Sequence, residues 1–191
     1  MNIGVVAVVK APGKAPTGIR GFDEISGGGL PRGRTTLIVG GPGSGKTIFG
    51  LEFLVTGARE DKQPGIFVAF EEASKRIASN AASFGWGLDE LTPKSLAFID
   101  AQPSPDLVQS GEFDLGGMLA MLEAKVRQMK ARRIVFDALD IVLSLLPDAA
   151  TKRREVYRLH EWLLAHELTA VVTAKAGGDD ASSISTAQFG F

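Results

Sequence analysis

The sequence contains no cysteine, which removes disulfides, cysteine-ligated zinc and thiol nucleophiles in one step and agrees with a cytoplasmic setting. Histidine is nearly as scarce. His160 and His166 fall in one expected helix, where two imidazoles suit a solvated or half-buried face better than a metal centre. No apolar run approaches the ~20 residues of a membrane-spanning helix, and the apolar patch at residues 3–9 is too short for a cleavable signal and lacks its layout. Charge of one sign is not in excess either: Lys+Arg 21 against Asp+Glu 22 leaves a net charge of -1. No global basic field recruits nucleic acid, and no zinc motif or aromatic-basic patch replaces it. What remains, at 191 residues, 45% hydrophobic and 23% charged, is ordinary for a globular protein of about one domain with a substantial core.

Glycine, by contrast, is abundant at 23 residues, and its densest functional use is Gly40-Gly41-Pro42-Gly43-Ser44-Gly45-Lys46-Thr47. This run satisfies the phosphate-loop pattern GxxxxGK[ST] at every defined position. Glycines let successive backbone N–H groups converge on phosphate oxygens, the lysine reaches the β- and γ-phosphates, and the threonine hydroxyl ligates Mg²⁺. A helix beginning near Gly45 adds its positive end to the anion site. The context that the motif requires is present. Thr35-Thr36-Leu37-Ile38-Val39 reads as a buried strand before it, and Ile48, Leu51, Phe53, Leu54 and Ala58 give an apolar-rich helix after it, over about 46–60, interrupted only by Gly50 and Gly57.

Strands and helices alternate along the rest of the chain. Residues 1–16 read as an N-terminal arm ending in Lys10-Ala11-Pro12-Gly13-Lys14-Ala15-Pro16, and residues 17–191 as a single domain, entered through the glycine-rich turn at 26–34. Strands are expected at 66–70, 96–99, 133–136 and 169–173, and helices at 73–83, 115–129 and 149–166, with a proline-containing loop over 100–112. This is an α/β pattern, a mostly parallel sheet covered by helices on both faces. Ligands of such sheets bind beyond the carboxyl ends of the strands, and Gly40, Glu71, Asp137 and Thr173 all stand at or just past such ends.

Asp137, at the end of an apolar strand, is the natural second acidic element of a phosphate-loop NTPase and a Mg²⁺ holder; it would equally cap the following turn. Many such ATPases place a water-activating glutamate directly after this aspartate, but here that position is Ala138. A base has to come from elsewhere, and Glu71 and Glu72 stand where one or both can face the γ-phosphate and polarise water. The same two residues suit the first turn of the next helix, where negative charge is favourable by roughly 0.3–1 kcal/mol. Thr173 either reports on the γ-phosphate or ends a strand, and Ser182, Ser183, Ser185 and Thr186 read as a polar surface loop.

The ordered set Ala15-Pro16-Thr17-Gly18-Ile19, Gly28-Gly29-Leu30-Pro31-Arg32-Gly33, the phosphate loop, Phe70-Glu71-Glu72, Ser83-Phe84-Gly85-Trp86, Phe113-Asp114-Leu115, Ala131-Arg132-Arg133 and Arg153-Arg154-Glu155 resembles the KaiC-like ATPases of the RecA superfamily, over residues 14–174. The resemblance implies a RecA-like phosphate-loop fold, ATP with Mg²⁺, homo-hexameric rings with nucleotide between subunits, slow hydrolysis and, in some members, Ser/Thr autophosphorylation. It places Gly41, Pro42, Gly43, Ser44, Gly45, Lys46 and Thr47 on the nucleotide, Thr47 and Asp137 on the metal, and Lys46, Glu71 and Glu72 in catalysis. Two departures stand out. Clock members carry two such domains in tandem, and after Thr173 a family domain continues through further strands bearing basic residues that reach the neighbour's γ-phosphate. The sequence here stops at Phe191, so C-terminal strands and a trans finger are expected to be missing, hydrolysis to be weak and autokinase activity to lose support. Besides the ATPase, two other functions fit: a nucleotide-gated assembly or signalling module acting on a partner protein, and, less well given the charge balance, a recombinase-like DNA-dependent ATPase.

Overall fold

The computed structural model describes residues 12–103 and 115–176. Residues 1–11 of the arm, most of the 100–112 loop, Phe113, Asp114 and the serine-rich stretch with Ser182, Ser183, Ser185 and Thr186 lie outside the described residues.

Five strands form one parallel sheet: β3 (Thr35–Gly40), β4 (Gly65–Ala69), β5 (Leu96–Asp100), β6 (Arg133–Asp137) and β7 (Thr169–Lys175), in the order β3-β7-β6-β4-β5. Every residue of β4 and β6 is buried, as expected of central strands covered on both faces. One face packs α2 (Lys46–Arg59) and α3 (Ser74–Ala81) around Leu51, Phe53, Leu54, Phe67 and Val135. The other packs α5 (Leu115–Met129), α6 (Leu139–Ser144) and α7 (Ala149–Ala165) around Leu122, Ile134, Phe136, Val142 and Leu159. The α/β doubly covered sheet expected from the sequence is therefore the fold.

Three smaller pieces were not foreseen. The α6 helix is one of them, although Leu139, Val142, Leu143 and Leu146, all buried, follow the i, i+3, i+4, i+7 spacing of an amphipathic helix. The short helices α1 (Phe22–Ile25) and α4 (Leu88–Leu91) complete the set. At the entry, β1 (Lys14–Ala15) pairs antiparallel with β2 (Leu30–Pro31), and the Asp23 carboxylate accepts hydrogen bonds from the Thr17 backbone N–H and hydroxyl and the Gly18 N–H. Gly29 lies at φ +107 with a Cβ position that would overlap the Ala15 carbonyl, so the glycine run is a fitted clasp and not a plain connector.

The glycines inside α2 also have a packing reason. A Cβ on Gly50 would lie 2.8 Å from Val135 Cγ1, so the helix touches β6 with backbone where a side chain would hold it off. Gly50→Ala raises helix propensity by about 1 kcal/mol, yet overpacking costs typically ~1–3 kcal/mol. The expected net result is a lower melting temperature, read by thermal denaturation; a higher one would show that Val135 rotates away freely.

Candidate functional site

Strand order assembles the site. With β3, β7, β6 and β4 side by side, the four chain exits at Gly40, Lys175, Asp137 and Glu71 become neighbours along one edge of the sheet. Register aligns them: Gly40 is opposite Lys175 and Ala69 is opposite Asp137. Beyond this edge lies a cavity of about 410 Å³ lined by residues 42–48 together with Glu71, Asp137, Ala138 and Lys175, within the size range of small-molecule sites.

The loop is shaped by residues that tolerate its backbone. Gly43 and Gly45 have φ +73 and +86, and Gly45 is the N-cap of α2 with no side chain capping that end, which leaves the first-turn N–H groups facing the cavity. Ser44 N–H donates to the Gly41 carbonyl at 3.3 Å. Lys46 Nζ donates to the carbonyls of Gly40 at 2.8 Å and Gly41 at 3.0 Å, so its ammonium is already held over the loop. Gly41 takes part through this carbonyl and does not line the cavity.

A hydrogen-bonded chain crosses the sheet end. Thr47 Oγ1 donates to Asp137 Oδ2 at 2.8 Å, Thr173 Oγ1 donates to Asp137 Oδ1 at 2.7 Å, and Ala138 N–H donates back to Thr173 Oγ1 at 2.8 Å. Thr173 is fully buried. It orients the aspartate from behind, a role different from the two considered for it above. Ala138 adopts φ 66, ψ 57, a left-handed conformation that costs a non-glycine residue about 1–2 kcal/mol and turns the chain sharply out of β6 into α6. A threonine hydroxyl and a carboxylate at hydrogen-bond separation are hard oxygen donors of the kind that hold Mg²⁺ next to substrate phosphates. Among the described residues no group of three His, Cys, Asp or Glu side chains could hold a metal ion by itself.

The two glutamates diverge. Glu71 lines the cavity and accepts a 2.8 Å hydrogen bond from Lys175 Nζ. Glu72 instead pairs with Arg76 Nε at 2.6 Å, one turn along, and does not line the cavity. Lys175, which lines the cavity and contacts Glu71, is a candidate site residue that sequence reasoning missed. Its signal was available: the last expected strand runs on past Thr173 and ends on a cation at the edge where the other site residues stand. Hydrogen bonding to Glu71 and the charge of that carboxylate raise the Lys175 ammonium above the usual lysine range. Burial pushes the nearby Asp140 carboxyl up, opposed by its own backbone N–H and that of Lys175.

A family model described as "ATPase: KaiC" matches residues 15–189. The chain belongs to the KaiC ATPase family. Family relatives include the circadian clock protein KaiC2 of Synechocystis sp., 43% identical over 166 residues that make up 86% of this chain and 29% of the relative. The circadian clock oscillator protein KaiC of Parasynechococcus marenigrum is 44% identical over 85% of this chain and 32% of its own length. The circadian clock protein KaiC3 of Synechocystis sp. gives 44% over 85% and 32%. The chain thus spans about a third of the length of the curated relatives it matches. As a KaiC-family ATPase domain it is a nucleotide-binding unit, and the cavity beyond the phosphate loop is where that family assignment and the geometry meet. No helix among the described residues is long and apolar enough to cross a membrane.

Proposed function

We propose that this chain binds ATP in the cavity beyond β3, β7, β6 and β4 and hydrolyses it in a homo-oligomeric, ring-forming, cytoplasmic ATPase of the KaiC kind. The observation that carries this is the convergence of Lys46, Thr47, Asp137 and Glu71 on one cavity from three separate stretches of chain. The loop N–H groups and Lys46 would bind and orient the phosphates. Thr47 and Asp137 would hold Mg²⁺, which when bound neutralises charge on the β- and γ-phosphate oxygens. Thr173 keeps Asp137 aimed. Glu71, on the cavity wall, would orient the attacking water and accept its proton, with Glu72 supporting it from the bend just before the next helix, which starts at Ser74 and carries no acidic residue in its first turn.

The test separates binding from turnover. Glu71→Gln is expected to retain ATP binding while phosphate release falls about 100-fold or more, the usual contribution of a general base. Glu72→Gln is expected to show the same pattern more weakly, because its carboxylate is turned to Arg76. Loss of binding in both, equal to that in Lys46→Ala, would remove these role assignments. Phosphate release per chain that climbs with protein concentration would support a site completed between subunits.

A second function is favoured by one observation: both carboxylates are held by cations, Glu71 by Lys175 and Glu72 by Arg76. Such a site binds nucleotide and hydrolyses little, as a nucleotide-gated assembly or signalling module would. It predicts oligomer size that follows nucleotide with background phosphate release.

A further inference from the structure

We propose that Lys175 is a γ-phosphate-responsive latch, which holds Glu71 while the cavity lacks a triphosphate and exchanges that carboxylate for the γ-phosphate when ATP binds. The inference rests on the ATP assignment of this cavity and goes beyond it by naming what distinguishes ATP from ADP there.

Three features place Lys175 for this exchange. It ends β7 directly opposite Gly40, the last residue of the strand that feeds the phosphate loop, and the next residue, Ala176, donates its N–H to the Gly40 carbonyl at 3.2 Å. The backbone under Lys175 is therefore tied to the loop while its side chain stays partly exposed. Second, Nζ contacts Glu71 Oε1 at 2.8 Å, and both residues line the same cavity as the loop. Whatever phosphate extends from the loop toward Glu71 meets this ammonium. Third, the Asp140 carboxylate adds its negative charge to that of Glu71 in favouring the charged form of the Lys175 ammonium, so the cation is kept at this end of the strand.

The exchange follows from charge. A carboxylate carries one negative charge, whereas the terminal phosphate of a triphosphate carries more, spread over oxygens that accept several hydrogen bonds. At this half-exposed position the ammonium prefers the more highly charged phosphate. Its departure leaves Glu71 without its cationic partner and able to accept a proton from water. One movement would then both recognise the γ-phosphate and arm the base, so a diphosphate, which does not extend to Lys175, would leave the latch closed.

Equilibrium binding of ATP-Mg²⁺ and ADP-Mg²⁺ to the full chain, measured by calorimetry, tests this. Lys175→Met keeps the aliphatic stem and is expected to weaken ATP binding about tenfold or more, the loss of a charge-assisted hydrogen bond, while ADP binding changes less than about twofold. Lys175→Arg is expected to restore part of the ATP preference. Glu71→Gln, which removes the competing carboxylate, is expected to tighten ATP but not ADP. A ratio of ATP to ADP affinity that stays at the wild-type value in Lys175→Met, or that leaves ATP binding unchanged in Glu71→Gln, overturns the latch while the ATP assignment stands. Wild-type protein that binds neither nucleotide overturns both.

Discussion

Lys46→Ala is expected to abolish ATP binding at millimolar nucleotide and to leave the fold intact. Among the described residues the Lys46 ammonium is bonded to two carbonyls of its own loop, Gly40 and Gly41, so its removal costs the rest of the fold little. What is lost is the cation at the centre of the anion site, where loop N–H groups and the start of α2 supply only partial charges. The consequence can be read without any hydrolysis. Ligand that binds only the native state stabilises it by about 2.7 kcal/mol at 100-fold excess over Kd, and each kcal/mol shifts Tm by roughly 2–4 °C in a chain of this size. Wild-type protein should therefore gain roughly 5–10 °C with saturating ATP-Mg²⁺, and Lys46→Ala should gain none. An equal gain in the variant would mean that nucleotide is held elsewhere.

At the opposite end of the sheet, Arg133→Met is expected to destabilise the protein on the order of 3–5 kcal/mol, the usual result of removing one partner from a buried ionic network. Arg133 has no exposed surface. Its guanidinium donates to the Pro16 and Phe53 carbonyls, both at 2.7 Å, to Gln63 Oε1 at 2.8 Å and to Asp61, and it stacks over the Phe53 ring at 4.5 Å. Burial pulls its pKa below the usual arginine value while Asp61 opposes this, yet a guanidinium remains charged in proteins. One side chain thereby ties the entry segment and α2 to the start of β6. Methionine refills the stem volume but takes the guanidinium donor from the Pro16 carbonyl and from Gln63 Oε1, and among the described residues Asp61 keeps Arg32, at 3.2 Å. Thermal and urea denaturation should show the loss. A cost under about 1 kcal/mol would mean that water replaces the guanidinium, as it does for exposed groups.

Arg133 shows where legibility stopped. In the sequence it is one of two arginines before an apolar strand, and nothing local separates it from Arg132, which is exposed and pairs with Glu167. The difference arises because strand alternation turns one toward the interior, where Pro16, Phe53 and Asp61 come from three distant stretches. The glutamates repeat the lesson on the functional side. Adjacent in sequence and chemically identical, Glu71 and Glu72 leave the strand end in different directions, one lining the cavity and one pairing with Arg76 of the helix that follows.

The sequence by itself determined the phosphate loop, the strand before it and helix after it, the alternation that makes a parallel sheet, and the candidate residues at strand ends. These depend on contacts within a few residues, such as Lys46 with Gly40 and Gly41, and on hydrophobic periodicity, and both are written locally. Tertiary structure decided which of those residues meet. Thr47 reaches Asp137 across 90 positions, Thr173 reaches Asp137 across 36, and Lys175 reaches Glu71 across 104. Each of these pairs exists because the last strand inserts between the first and the fourth, and strand order is set by how all the apolar faces pack together, a property that no single stretch of the chain contains.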